Sequence, residues 1–403
     1  MATYDVAVVG AGIVGLAGAR ELLRRRPGLR LAVIDKETRV GAHQTGHNSG
    51  VIHSGIYYAP GSLKARLCVA GARELYAYCE ANDIPTERCG KVIVATDESE
   101  LGRLQALHER GLANGVEGLE MIGPERLREL EPHCAGIRAL WSPCTGIVDF
   151  SLVAASYARD VRDAGGEVHT GRELLRLRRL ADAVVLETTA GEVEARGVLT
   201  CAGLYADRVA ALSEGPREPR VVPFRGDYWQ LRPEARHLSR NLIYPVPDPA
   251  FPFLGVHATR RIGTGEVWLG PNAVLAFSRE GYRRLDLRPR DLAEALGNRG
   301  FRRLARRHWR MGAVEMWRDW SKRAFWRSVR RYLPDVELAD MVPGPSGVRA
   351  QALDASGALV DDFVVDAQGD RVLHVRNAPS PAATSSLAIG RLVADAAEQS
   401  LAL

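Results

Sequence analysis

The chain has 403 residues, 46% of them hydrophobic and 26% charged, with a formal net charge of +5. That length exceeds one ordinary domain core and the balance is that of a globular chain, so two interleaved domains are expected. No apolar run reaches the ~18 residues of a membrane-crossing helix, and the six cysteines contain no C-x-x-C pair, so they read as free thiols and no metal site is expected.

The chain opens MATYDVAVVGAG, entering a strand almost at once. This leaves no room for a signal or transit peptide, and a cytoplasmic location is the expectation. The run Val6 to Val9 fits a buried parallel strand. Gly10, Gly12 and Gly15 follow as G-x-G-x-x-G and open a helix. The first glycine suits a tight turn, the second lets backbone N–H groups approach a pyrophosphate at the helix N-terminus, and the third allows close helix–strand packing. A second strand, LRLAVID, ends on Asp35, placed to accept hydrogen bonds from an adenosine ribose, with Lys36 beside it. Strand, glycines, helix, strand and acid in register predict dinucleotide binding.

The next segment, TGHNSGVIHSGIYY from Thr45 to Tyr58, crowds small, polar and titratable residues together. Further on, ARGVLTCAGLYADRVA predicts a strand running into Gly203 and a helix, and residues 370–399 predict another strand, a proline-rich turn and a C-terminal helix. Pro379 and Pro381 delay that helix, leaving Ala382, Ala383, Thr384 and Ser385 to present N–H groups. Between these, DYWQL and GEVWLGPNA alternate as antiparallel strands do. Residues 298–332 hold twelve Lys or Arg against two acids, with four of the seven tryptophans. Such a stretch can lie on an anionic membrane surface. The competing expectation is a pair of core helices with tryptophans packed inward, because Gly312 and Pro334 break the stretch. Nucleic-acid binding is not expected.

The segments GHNSGVIHSGIYY, PGSLKARLC, PFRGDYWQL, NLIYPVPDPAFPFLGVHATR, GPNAVLAFSREGY, SGVRAQALD and HVRNAPSPAATSSLAIG carry a resemblance. By them the chain resembles the D-amino-acid-oxidase and glycine-oxidase-like superfamily of FAD enzymes, and within it the L-2-hydroxyglutarate oxidase and dehydrogenase family. The resemblance implies an α/β fold, α+β overall. A Rossmann-like FAD domain (1–88, 145–215 and 345–403) is interrupted by an antiparallel-sheet substrate domain with helices (89–144 and 216–344). It implies oxidation of L-2-hydroxyglutarate to 2-oxoglutarate, with electrons passing to quinone or oxygen; peripheral membrane contact is a reading of the basic stretch alone. The mitochondrial members carry an N-terminal extension absent here, which points to a bacterial-type enzyme.

Oxidising a 2-hydroxy acid needs a base for the hydroxyl proton and a cation for the carboxylate. Histidine suits the first and a guanidinium fork the second. His53 and His257, in segments that the superfamily places beside the flavin, are the two base candidates. Arg349 in SGVRAQ is the carboxylate candidate, and Tyr57 is expected to face substrate. Arg260, Lys64 and Arg376 are candidates for a second carboxylate. Gly10, Gly12, Gly15, Asp35, Lys36, Thr45, His47, Asn48, Ser49, Gly50, Gly203, Ala382, Ala383 and Thr384 are expected to hold FAD. Two other readings stay open at this point. One is a flavin oxidase of another small acid, of the glycine or N-methyl amino acid type. The other is a non-catalytic electron-transfer flavoprotein.

Overall fold

The computed structural model describes residues 3–248, 255–367 and 371–401. The middle of the NLIYPVPDPAFPFLGVHATR segment, 249–254, lies outside them. The opening strand Thr3–Val9 runs parallel to Leu31–Ile34 on one side and to Gly191–Thr200 on the other. Val6, Ala7 and Val8 are fully buried, as a strand covered on both faces requires. Glu167–His169 and Val372–Asn377 extend the parallel sheet at its two ends. Leu174–Arg179, Val184–Thr188 and Val364–Ala367 add antiparallel edges.

Helix Ile13–Arg25 covers this sheet together with Phe150–Asp163 and Ser386–Ser400. Leu16 and Leu22 are fully buried there, each stabilising the layer by about 1.5–3 kcal/mol. Close approach depends on Gly390, where a Cβ would come 2.7 Å from Ala17 O. Helix Leu63–Ala81 packs on the same layer and is capped by Ser62, whose hydroxyl accepts from Ala65 N.

The second sheet runs in the order Val274–Leu275, Arg220–Leu231, Val267–Gly270, His257–Arg260, Leu242–Pro245, Lys91–Ala95, Arg138–Ser142, Glu120–Ile122. Its pairs are antiparallel apart from Leu242–Pro245, which lies parallel to Lys91–Ala95. Met341–Leu353 joins this sheet through a long pairing with Arg220–Leu231. The boundary expected at residue 345 is therefore corrected. Residues 345–353, Arg349 among them, belong to the second sheet, and the return to the first comes at Val364. The alternating pattern of SGVRAQ could equally have served either sheet, and only its partner decides. A small sheet of Val51–Ile52, Gly146–Val148 and Thr86–Glu87 links the two.

The basic stretch forms three consecutive short helices, Arg299–Arg307, Trp309–Trp320 and Lys322–Val329. Gly312 sits inside the second of them. The breaks fall instead around His308 and Ser321, and Asn298 and Ser321 cap the helices that follow them. Trp309, Trp317 and Trp320 are 63%, 65% and 60% exposed, so the inward-packed alternative fails for them. Trp326 alone of the four turns inward, donating from Nε1 to Val336 O.

Candidate active site

A cavity of about 890 Å³ runs from the glycine turn, past the 41–58 segment, to the face of the second sheet. At its first end the three glycines act for three reasons. Gly10 has φ +111°, and a Cβ there would lie 2.4 Å from Cys201 O. At Gly15 a Cβ would lie 2.0 Å from Gly10 O, so helix Ile13–Arg25 can seat on the turn only without a side chain. Gly12 has room for a Cβ but lines the cavity. The helix has no side-chain cap of its own. Thr45 supplies one, its Oγ1 accepting from Ile13 N at 3.0 Å. Asp35 lines the cavity and accepts from Ala11 N (2.7 Å) and Glu37 N (2.8 Å), which locks the turn against the second strand. The cradle left by Gly12 at a positive helix end, with a carboxylate beside it, fits a dinucleotide pyrophosphate and ribose.

Several expected cofactor residues line this cavity: Lys36, Thr45, His47, Asn48, Ser49, Gly203, Ala382, Ala383 and Thr384. Their side chains are not all free for a ligand. Lys36 Nζ is bonded to Glu37 and Glu280. Asn48 spends its amide on the loop, donating to Gln44 O and Thr45 O while its Oδ1 accepts from Gly50 N. His47 stacks on Tyr282 at 4.0 Å and contacts Ser346 O through Nδ1 at 3.1 Å, and burial holds its pKa down. Gly50 is a correction. It has φ +73°, and the atoms a Cβ would strike are Arg261 Nη1 and Val148 O, so its bare backbone serves protein packing and it is absent from the cavity wall. At the C-terminal turn, Ala382 N and Ser385 N bond to Pro379 O and Pro381 O. Those of Ala383 and Thr384 carry no hydrogen bond among the described residues. Thr384 Oγ1 accepts from His53 N at 3.1 Å and donates to Val51 O, tying this turn to the segment it faces.

Glu37, His43 and Glu280 bring ligand-type atoms within 4.8 Å of one another. The Lys36 ammonium bonded to both carboxylates already supplies a positive charge there.

At the far end His53, Tyr57, Tyr58, Lys64, Tyr228 and Arg349 share the wall. Among the described residues, His53 Nδ1 and the Tyr57 hydroxyl are buried with no hydrogen-bond partner, so both are polar atoms on this wall that the surrounding protein does not satisfy. Burial first, then the nearby Lys91, His257 and Lys64, pulls the His53 pKa down to about 3. Burial raises that of Tyr57 well above the phenol value, so its hydroxyl stays a donor. Arg349 is held on Met341–Leu353 opposite Phe224, and desolvation lowers its pKa from a value so high that it remains charged.

His257 is placed differently from His53. It stacks on Tyr244 at 3.9 Å, contacts Gly255 O through Nδ1 at 2.8 Å, and is not among the residues that line the cavity. It reads as a buried strand histidine behind the wall. Of the further cations, Arg260 is engaged by Glu87 and Arg240 O. Lys64 is engaged by Asp361, and Arg376 lies by Arg217 O and Asp366. Sequence reasoning missed Lys91, buried under Tyr57 and Tyr244 with its pKa lowered by burial to about 8. It also missed Arg261, which donates to Asn48 O and lies over Trp268. A lysine starting an apolar strand, CGKVIVA, was the available signal for the first.

Residues 5–396 match the family described as FAD dependent oxidoreductase (DAO). The chain belongs to that family. FAD is therefore the cofactor for which the cradle is built. The chain is 52% identical to an L-2-hydroxyglutarate dehydrogenase of Nematostella vectensis over 99% of its own length and 91% of that protein's. It is 49% identical to the human mitochondrial L-2-hydroxyglutarate dehydrogenase (98% and 89% covered) and 45% to that of Indibacter alkaliphilus (97% and 98%). Among solved structures it superposes on L-alpha-glycerophosphate oxidase from Mycoplasma pneumoniae with TM-score 0.78 at 21% identity, over 98% of this chain and 94% of the other. Glycine oxidase from Geobacillus kaustophilus gives TM-score 0.73 at 21% identity (99% and 95%). The fold is thus shared with enzymes of different substrates, and the choice among them rests on the site. No described helix is long and apolar enough to cross a membrane.

Proposed function

We propose that this enzyme oxidises L-2-hydroxyglutarate to 2-oxoglutarate, with His53 receiving the hydroxyl proton and Arg349 holding the neighbouring carboxylate. The observation that carries this reading is the sharing of one cavity wall by a guanidinium, a buried imidazole and a tyrosine hydroxyl, the last two with His53 Nδ1 and Tyr57 Oη unpartnered among the described residues. Gly12, Asp35, Ala383 and Thr384 hold FAD, which when bound supplies the acceptor for the hydride from C2. Burial keeps the His53 imidazole neutral at physiological pH, and the carboxylates of a substrate bound beside it raise its proton affinity, so that it can take the hydroxyl proton. Arg349 grips a carboxylate with two parallel N–H donors and so fixes which face of C2 is presented. Tyr57 donates to a substrate oxygen and excludes water from the same wall.

The test is anaerobic: L-2-hydroxyglutarate is added to the yellow protein, and flavin absorbance is followed beside the D enantiomer, glycine and sarcosine. Bleaching by the L-hydroxy acid alone is the expected result. Bleaching by the amines instead would move the protein to the amino acid oxidases, and bleaching by none of them would favour an electron-transfer role.

The electrons leave the site for quinone or oxygen. Three exposed tryptophans on arginine-rich helices favour quinone at an anionic membrane surface, since such a surface rewards both aromatic rings and positive charge. Co-sedimentation with anionic but not neutral vesicles at low salt is expected. A protein that stays wholly in the supernatant refutes the docking.

A further inference from the structure

We infer that Lys91 is a positioning residue that selects a substrate with a second carboxylate, acting through the ring of Tyr57. This deepens the proposed function and rests on the reading of the site as one for a 2-hydroxy acid.

Lys91 opens the strand Lys91–Ala95 and is 1% exposed. Its Nζ lies 4.8 Å from the ring centroids of both Tyr57 and Tyr244. The ionisable groups that bear on it favourably are three thiols, Cys68, Cys144 and Cys89, with no carboxylate among them. Each of the other cations considered for this role has an acid: Asp361 for Lys64, Glu87 for Arg260, Asp366 for Arg376. A buried ammonium that is compensated only by two ring faces is costly to keep. Among the described residues no carboxylate neutralises the charge, so an anion in the cavity beyond Tyr57 is stabilised by it.

Tyr57 connects that charge to the site. It lines the cavity, its hydroxyl has no partner, and its backbone carbonyl is pinned by Arg110 Nη1 at 3.0 Å. A cation against the π face withdraws electron density from the ring and strengthens the phenol as a donor. An anion resting against Tyr57 also feels the positive field directly, in a medium where screening is weak. Arg349 provides for one carboxylate of the substrate, and the Lys91–Tyr57 pair provides for the other.

The experiment compares Lys91→Met with the wild-type holoenzyme on L-2-hydroxyglutarate and on the monocarboxylic L-2-hydroxybutyrate. The kcat/KM ratio of diacid to monoacid is expected to fall at least ten-fold, mostly through KM of the diacid, with FAD content and monoacid turnover retained. Lys91→Arg should restore part of the ratio. A ratio within two-fold of the wild type overturns the inference, because a merely structural defect lowers both substrates together.

Should Lys91→Met lose its flavin, the wild type decides by inhibitor binding between pH 7 and 9.5. Glutarate should weaken as Lys91 loses its proton near pH 8 while butyrate does not. Around it, His53 and His257 are already neutral, Cys68 and Cys89 titrate only at about 12, and burial keeps Tyr57 and Tyr244 protonated. Lys64 and Arg349 lie at the same end of the wall, Arg376 lines the same cavity, and Cys144→Ser removes the remaining thiol. Parallel pH profiles for the two inhibitors overturn the inference. Failure of the wild type to oxidise any 2-hydroxy acid strikes the proposed function instead, and is seen separately from inhibitor binding.

Discussion

Alanine at Gly12 and alanine at Gly15 should separate the two tasks of the glycine turn. At Gly15 the new Cβ meets backbone, 2.0 Å from Gly10 O and 3.2 Å from Cys201 Cβ. Neither neighbour is the end of a flexible side chain, so the helix must move by about an ångström from the turn to restore an ordinary contact. Overpacking of this kind costs ~1–3 kcal/mol, which as lost affinity is about 5- to 150-fold. At Gly12 the Cβ meets only Thr45 Oγ1 at 3.6 Å, an ordinary contact, and the residue already has φ −76°. The protein itself therefore loses little, yet the methyl group fills the cradle over which the pyrophosphate lies. Apoprotein stability, measured by urea unfolding, and FAD affinity, measured by quenching of flavin fluorescence, give the two readouts. Gly15→Ala should lower both, while Gly12→Ala should lower affinity at unchanged stability. Equal loss of stability in the two variants would refute this division, and unaltered FAD affinity in Gly12→Ala would refute the placing of the cofactor on this turn.

Replacing His53 by Gln should slow anaerobic flavin reduction by ~10²–10⁴-fold, the usual worth of a positioned base; His257→Gln should change it by less than ten-fold, and the reverse order would exchange their roles. Both histidines are held neutral by burial, with pKa values near 3 against about 6.5 unfolded. Their folded values are depressed, so the unfolded chain binds protons first and stability falls as pH drops from about 6.5 towards 3. The slope approaches ~2.7 kcal/mol per pH unit for the two together. Urea midpoints of the double His→Gln variant should show that slope removed, and an unchanged slope would assign acid lability elsewhere. Arg279 and Asp207, with side chains 2% and 1% exposed, form a two-pronged pair at 2.6 and 3.0 Å between the loop after Val274–Leu275 and the helix Ala206–Glu214. Removing one partner with Arg279→Met should destabilise the protein by ~3–5 kcal/mol, and a loss under 1 kcal/mol in thermal or urea unfolding would show the pair to be dispensable.

Local sequence determined the nucleotide-binding half. A strand that is apolar throughout, glycines at fixed offsets and an acid at the end of the next strand act within thirty residues of one another, so their meaning does not depend on distant partners. The same holds for the delayed start of the last helix behind Pro379 and Pro381. The catalytic end is different. Arg349, Tyr228 and Lys91 come from strands more than a hundred residues apart and meet His53 only because the second sheet folds over the first. His53 and His257 have similar surroundings in sequence, and it took the stacking of Tyr244 to set one behind the wall and leave the other on it. Gly50 reads as a cofactor glycine until Arg261, from a hairpin two hundred residues away, is seen beneath it. The tryptophans of the basic helices carry the same lesson, because an apolar side chain states its preference for burial but only the tertiary packing decides whether a place inside exists.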